Sequence, residues 1–286
     1  MTDVPPEIIE HYTEEVDEGE RIAAGFSQLE LLRVQEVVRR HLPAGSLRVL
    51  DVGGGTGIHA QWLAADGHSV HVVDPVPRHV QQAANLGGVT SELGDARQLS
   101  ANDDSVDVVL LFGPLYHLSE GEDRVRALRE AMRVVRPDGL VFVAAVSKFA
   151  SLFDGLARGL LFEPGFPEIV ERDLREGEHR NPDRLPHRFT TAHFHHPDAL
   201  RAEISAAGLD VVDLVGVEGL AGWLPHLADR WDDPEARQLI LYSARAVEAE
   251  PSLLGLSAHL LAVARRRPAS GTAPPASAAR TPTSRR

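Results

Sequence analysis

Asp51-Val52-Gly53-Gly54-Gly55-Thr56-Gly57 sets one carboxylate just before a run almost without side chains, and such a run suits a nucleotide-like ligand. Glycine lets the backbone take positive φ and lets a ligand approach the main chain, where a following helix offers free N–H donors. Counted from Gly53, the dinucleotide pattern G-x-G-x-x-G demands glycine at position 58, where Ile58 stands; the run is G-x-G-x-G. Asp51 would repel a pyrophosphate, so the pattern favours a small, positively charged nucleoside. Asp74 follows at about the ~20-residue offset of an acid that accepts hydrogen bonds from ribose hydroxyls. Further on stand Gly94-Asp95-Ala96 and Phe112-Gly113-Pro114-Leu115-Tyr116-His117. An imidazole titrates near neutrality, so His117 is a candidate general base; in the alternative, Tyr116 and His117 pack or orient the ligand.

These residues need rigid elements to bring them together. Arg48 to Val52, Ser69 to Val73 and Val106 to Phe112 are apolar or β-branched runs of the kind buried in a parallel sheet, and a short strand closes at Gly94. Ile58 to Ala65 suits a helix. Asp123 to Val135 carries Val125, Leu128, Ala131, Met132 and Val135 on one stripe, and Arg136-Pro137-Asp138-Gly139 stops it before a fifth strand, Leu140 to Val146. Pro197 to Ala207 reads as a helix capped by His196, Val211 to Val217 as a strand, Pro234 to Glu248 as a helix capped by Asp233, and Leu256 to Ala264 as the last strand.

The acidic residue with G-x-G-x-G, then Asp74, Gly94-Asp95-Ala96 and the segment after the fourth strand, in that order and spacing, resemble the class I S-adenosylmethionine-dependent methyltransferases. The resemblance implies an α/β fold with a doubly wound seven-stranded sheet of order 3-2-1-4-5-7-6, its last strand antiparallel. It implies a cofactor site at Asp51, Gly53, Gly54, Gly55, Gly57, Asp74, Pro75, Val76, Asp95, Ala96, Phe112 and Gly113, with Asp95 on the adenine amino group and a neighbouring N–H on the ring. It also implies that Tyr116 and His117 face the transferred methyl group, and that the N-terminal helices lie over the cofactor as a lid. Gly113-Pro114-Leu115-Tyr116 departs from the N/D-P-P-Y/F tetrad of enzymes that methylate amino groups of DNA bases and protein glutamine, which lowers the weight of those acceptors.

At 286 residues the chain accommodates one large α/β domain with additions. The expected division is an N-terminal helical lid at 1–45, a methyltransferase domain at 46–266 and a disordered tail at 267–286 rich in Pro, Ala, Ser, Thr and Arg. Cysteine is absent, which excludes disulfides, thiolate zinc sites and cysteine nucleophiles. The start is acidic and proline-bearing, and no apolar run approaches the ~18 residues of a span, so a cytoplasmic protein away from membranes is expected. A formal charge of −13 argues against a broad nucleic-acid footprint.

Nearly fifty residues, 147–195, separate the fifth strand from its helix, where 2–6 are usual. They combine an apolar part with Phe149 and Phe153 and a polar part with Arg172, Arg180, Arg184, His187 and Arg188, and are expected to form a substrate cap. The expected acceptor pocket draws on Tyr12, Arg33, Phe149, Phe153, His187 and His193; in the alternative, Glu30 and Arg33 form an exposed helical pair. His193, His195 and His196 invite a metal, but no nearby acid or cysteine completes a site, so a helix cap with pocket-lining histidines is expected and no metal. The expected activity is transfer of a methyl group from S-adenosylmethionine to an O, N or C nucleophile of a small molecule. An RNA or tRNA methyltransferase and a non-catalytic S-adenosylmethionine-binding regulator are the alternatives. The acceptor and the oligomeric state are not legible.

Overall fold

The computed structural model describes residues 25–181 and 189–267. Tyr12, Arg184, His187, Arg188 and the expected tail beyond residue 267 lie outside the described residues. In chain order the elements are α1 (Gly25–His41), β1 (Arg48–Val52), α2 (Ile58–Ala65), β2 (Ser69–Asp74), α3 (Pro77–Ala84), β3 (Val89–Leu93), β4 (Val106–Leu111), α4 (Pro114–His117), α5 (Gly121–Val134) and β5 (Val135–Ser147). Then come α6 (Ala150–Arg158), α7 (Phe166–Glu176), β6 (Glu178–His179), β7 (Ala192–His195), α8 (Pro197–Ala206), β8 (Leu209–Gly216), α9 (Leu227–Trp231), α10 (Pro234–Val247) and β9 (His259–Arg266).

The central strands run apolar almost without interruption because both faces of the sheet are covered. Val49, Val72, Leu110, Phe142 and Val263 face a layer that includes Val34, Val37, Trp62 and Ala83 of α1 to α3. Their neighbours Leu50, Val109, Val143 and Ala262 face Leu128, Ala131, Leu200 and Ile204 of α5 and α8. The sheet is thus doubly wound. Its first five strands are parallel in the order β3-β2-β1-β4-β5; β9 then pairs antiparallel with β5, and β8 antiparallel with β9. The expected 3-2-1-4-5-7-6 order is present, with β8 and β9 in the roles of its sixth and seventh strands.

Two details differ from the expected elements. β5 begins at Val135, because Val135 pairs with Val106 before the ladder breaks and resumes at Val108 with Leu140. Between those pairs the Arg136-Pro137-Asp138-Gly139 turn is folded into the strand, with Asp138 at φ 67°. The long connection after β5 is built of α6, α7 and the β6–β7 hairpin, and β7 extends the sheet beside the end of β5, pairing Val146 with Phe194 and Ser147 with His195. Among the described residues no helix is long and apolar enough to cross a membrane.

Candidate functional site

The turn after β1 is shaped by contacts that only glycine permits. A Cβ on Gly54 would lie 2.7 Å from the Asp51 carboxylate, and one on Gly53, at φ 69°, would lie 2.8 Å from the ring of Pro114. The turn therefore closes directly over Asp51 and against the start of α4. Gly113 completes the approach, since its own Cβ would come 3.0 Å from the Gly53 carbonyl oxygen. The N–H of Gly55 donates to Asp74 Oδ2 at 2.9 Å, so the end of β2 holds the turn in place.

Asp51 is fully buried, and neither carboxylate oxygen has a hydrogen-bond partner among the described residues. Burial, reinforced by the charge of Asp74, pushes its carboxyl up to about 7. A buried acceptor left in this way is costly, and a cationic ligand group would satisfy it. The amino group of the methionine moiety of S-adenosylmethionine has that chemistry. Asp74 is differently placed: Oδ1 accepts from Val76 N–H at 2.9 Å and lies 3.1 Å from His79 Nδ1, while Oδ2 holds Gly55. It braces the turn as well as bordering it, and Oδ2 keeps a second lone pair for a hydroxyl.

Asp95 is engaged by Arg97, whose guanidinium bonds both carboxylate oxygens at 3.0 and 2.7 Å and whose N–H donates to Oδ1 at 2.9 Å. Burial opposes ionisation there, but the Arg97 bonds outweigh it and hold the carboxyl below its usual range. Phe112 is half-buried, with the ring of His59 edge-on at 4.9 Å. Pro75 and Ala96 are also half-buried, and Val76 is buried.

Tyr116 and His117 sit on α4, immediately beyond the glycine turn, with ring centroids 4.6 Å apart. His117 stacks on Phe189 at 6.1 Å and 22°, and Tyr116, Phe189 and Trp223 pack against Val146, Ala150, Ala192 and Phe194. Phe153 meets Trp223 at 5.9 Å, whereas Phe149 meets His196 edge-on at 6.0 Å and packs over Gly255. Phe189 and Trp223 escaped the sequence reading, because no periodicity connects aromatic residues more than thirty positions apart.

Arg33 is a correction. It is fully buried, its Nε donates to the Val217 carbonyl at 3.2 Å, and its guanidinium bonds Glu36 and Glu248. With every edge so occupied it is a clamp between α1, the end of β8 and the end of α10. Arg33 does not line an acceptor pocket, and its helical partner is Glu36 rather than Glu30. Glu30 instead lies 3.8 Å from His259 Nδ1.

The rings of His193 and His195 lie 4.5 Å apart, and the fold brings them an acid from α8. Glu203 of α8 places Oε2 3.0 Å from His195 Nε2. Burial alone would raise Glu203, but its bonds with His195 and Arg124 outweigh it and bring the carboxyl down to about 2. His193 is driven the other way: burial first, then the charges of His195 and Arg124, lower it to about 3. His193, His195 and Glu203 come close enough to share a cation, as do Glu30, Glu218 and His259. The acids of both sets are held by protein groups, while His195 Nδ1 is buried with no hydrogen-bond partner among the described residues. Arg124 covers Glu203 at 2.8–3.1 Å, and Glu218 bonds His259 Nδ1 at 2.6 Å and the Ser257 hydroxyl at 2.7 Å.

A doubly wound sheet whose first strand ends in a glycine turn over a buried carboxylate, without a hydrogen-bond partner among the described residues, defines a nucleoside-binding α/β domain. The methyltransferase-domain family matches residues 50–143. A ubiquinone biosynthesis O-methyltransferase from Azorhizobium caulinodans is 30% identical over 197 residues, covering 64% of this chain and 70% of that protein. An uncharacterized methyltransferase of Mycobacterium tuberculosis is 35% identical over 156 residues, covering 54% of this chain and 58% of its own length. An S-adenosylmethionine-dependent methyltransferase from Mesorhizobium loti shares the fold, with a TM-score of 0.56 at 20% identity over 83% of this chain and 100% of that one. The chain belongs to the class I S-adenosylmethionine-dependent methyltransferases.

Proposed function

We propose that the acceptor is a small molecule, methylated first of all on oxygen, at a site where the glycine turn meets the aromatic residues of α4 and the 147–195 segment. The observation that carries this reading is the arrangement of Tyr116, His117 and Phe189 directly beyond a turn that holds a buried, unpartnered Asp51. The oxygen preference draws support from the O-methyltransferase of Azorhizobium caulinodans. In this reading the 46–266 unit is the methyltransferase domain, the segment 147–195 is its substrate cap, and the protein works in the cytoplasm without nucleic acid.

When bound, S-adenosylmethionine supplies an electrophilic methyl group. Asp51 takes its amino group, Asp74 the ribose, and Asp95 with Ala96 the adenine. Pro75, Val76, Phe112 and Gly113 border the nucleoside and methionine parts. Tyr116 and His117 orient the acceptor, and His117 accepts its proton. Phe149, Phe153 and His193 supply the cap side of the acceptor site. Most of the acceleration comes from alignment and water exclusion, which in favourable intramolecular reactions contribute about 7–11 kcal/mol.

Incubation with methyl-labelled S-adenosylmethionine and separated cell fractions tests this. Label should appear in a small-molecule fraction and be lost with His117→Ala, by about 10²–10⁴-fold in kcat where the acceptor must lose a proton. Label in RNA instead would establish the nucleic-acid alternative, and S-adenosylhomocysteine binding without any labelled product would establish a regulator.

A further inference from the structure

The segment between β5 and α8 contains a polar constellation that the cofactor site and His117 leave unused. Asp173 on α7 is fully buried, and its Oδ2 accepts from His179 Nδ1 at 2.8 Å and from the Ser151 hydroxyl of α6. His179 is itself 4% exposed and is held opposite Ala192 in the β6–β7 hairpin. An ionised carboxylate can only accept, so the imidazole proton belongs on Nδ1 and Nε2 is left as an acceptor. That Nε2 is buried and has no hydrogen-bond partner among the described residues. The buried Asp173 accounts for Nδ1 but not for Nε2, and a buried nitrogen left in this way is costly.

The surroundings indicate what would satisfy it. Phe194 lies against one face of the His179 ring, with centroids 4.9 Å apart and planes 18° apart, and Phe189 stands 6.3 Å away, tilted by 55°. Phe189 in turn stacks on His117 and stands 6.3 Å from Tyr116. A continuous series of rings thus leads from the Asp173–His179 pair to α4, whose first residue packs on the glycine turn. Rings packed on one another at such separations form an aromatic wall, and one fixed polar group in that wall sets the orientation of a flat guest laid against it.

We propose that His179 reads the acceptor: its Nε2 accepts a hydrogen bond from a hydroxyl or amino group on an aromatic ring held among Phe189, Phe194 and Tyr116. Asp173 is the positioning residue that fixes the tautomer, and Ser151 holds Asp173. The inference rests on the small-molecule reading above and adds the chemical class of the acceptor.

Ligand-observed NMR titrations of the full chain saturated with S-adenosylhomocysteine, using phenol, aniline, toluene and cyclohexanol, test it. Phenol or aniline should bind about 3- to 10-fold more tightly than toluene, the ratio expected of one net hydrogen bond, and cyclohexanol should bind more weakly than phenol. Whichever of phenol and aniline binds better identifies the group as hydroxyl or amine. His179→Ala should bring both down to the level of toluene while toluene and S-adenosylhomocysteine hold their wild-type affinities. His179→Gln, whose amide oxygen can accept near the Nε2 position, should restore part of the preference. The proposal fails if wild type does not prefer the donor-bearing rings, if cyclohexanol equals phenol, or if His179→Ala leaves the phenol-to-toluene ratio at its wild-type value. It fails equally if the variants weaken phenol and toluene by one factor. Absence of S-adenosylhomocysteine binding to wild type would instead overturn the cofactor site.

Discussion

Asp51 is a residue whose surroundings set it far from its behaviour in water. Its carboxyl is raised from 3.8 to about 7 by burial and by Asp74, so the folded chain holds this proton more tightly than the unfolded chain does. Its contribution to stability is therefore full below about pH 4 and is lost as pH rises through about 7. In urea denaturation of the unliganded protein, Asp51→Asn should be more stable than wild type at about pH 8, with the advantage gone by about pH 4. An equal advantage at both would show that Asp51 ionises as readily in the fold as in the unfolded chain. Calorimetric S-adenosylhomocysteine affinity should also strengthen from about pH 6 to pH 8 in wild type and stay flat in Asp51→Asn, because the ligand's ammonium prefers the ionised carboxylate. Asp51 was legible in the sequence, since an acid before a glycine run leaves little room for anything but a ligand. The extent of its burial was not, because that depends on how Pro114 and Gly113 close the turn from sixty positions away.

At the scale of elements, local chemistry and remote chemistry separate cleanly. Strands bounded by glycine turns, the His196 side chain accepting from Asp198 N–H at 3.2 Å, and Asp233 accepting from Glu235 N–H at 2.9 Å are written within a few residues each, and were readable. The architecture of the long connection was not, because its helices are short and its hairpin pairs only two residues on each strand. Arg33 shows the same limit: spacing on α1 reveals its helical neighbours but not Val217 or Glu248, which the sheet brings in from nearly two hundred positions away. Removing its guanidinium leaves the Val217 carbonyl unpaired and takes one of two arginines from each acid, since Arg245 still holds Glu36 and Arg40 still holds Glu248. Arg33→Met should therefore cost about 1–3 kcal/mol in urea denaturation. The S-adenosylhomocysteine affinity of the folded variant should be that of wild type. A tenfold loss of that affinity with unchanged stability would return Arg33 to the ligand site.

For the whole molecule, the formal charge of −13 sets what can approach it. Affinity for RNA comes mainly from cations that displace counterions, and here acids outnumber arginine and lysine by 42 to 29. Fluorescence polarisation with a mixed tRNA pool should show no binding below about micromolar concentration at physiological salt; tighter binding that survives removal of residues 268–286 would favour the RNA alternative. The sheet also constrains how the molecule is made. β9 lies between β5 and β8, pairing with β5 from Leu140 to Val146 and with β8 from Leu209 to Gly216. During vectorial synthesis the strands β1 to β5 can pair as they emerge, but the far edge of β5 stays open until residues 259–266 leave the ribosome. β8 meanwhile has no partner at all. The growing chain therefore carries an apolar, unpaired edge through the making of more than a hundred residues, a period in which chaperones and neighbouring nascent chains compete for the place that β9 will fill.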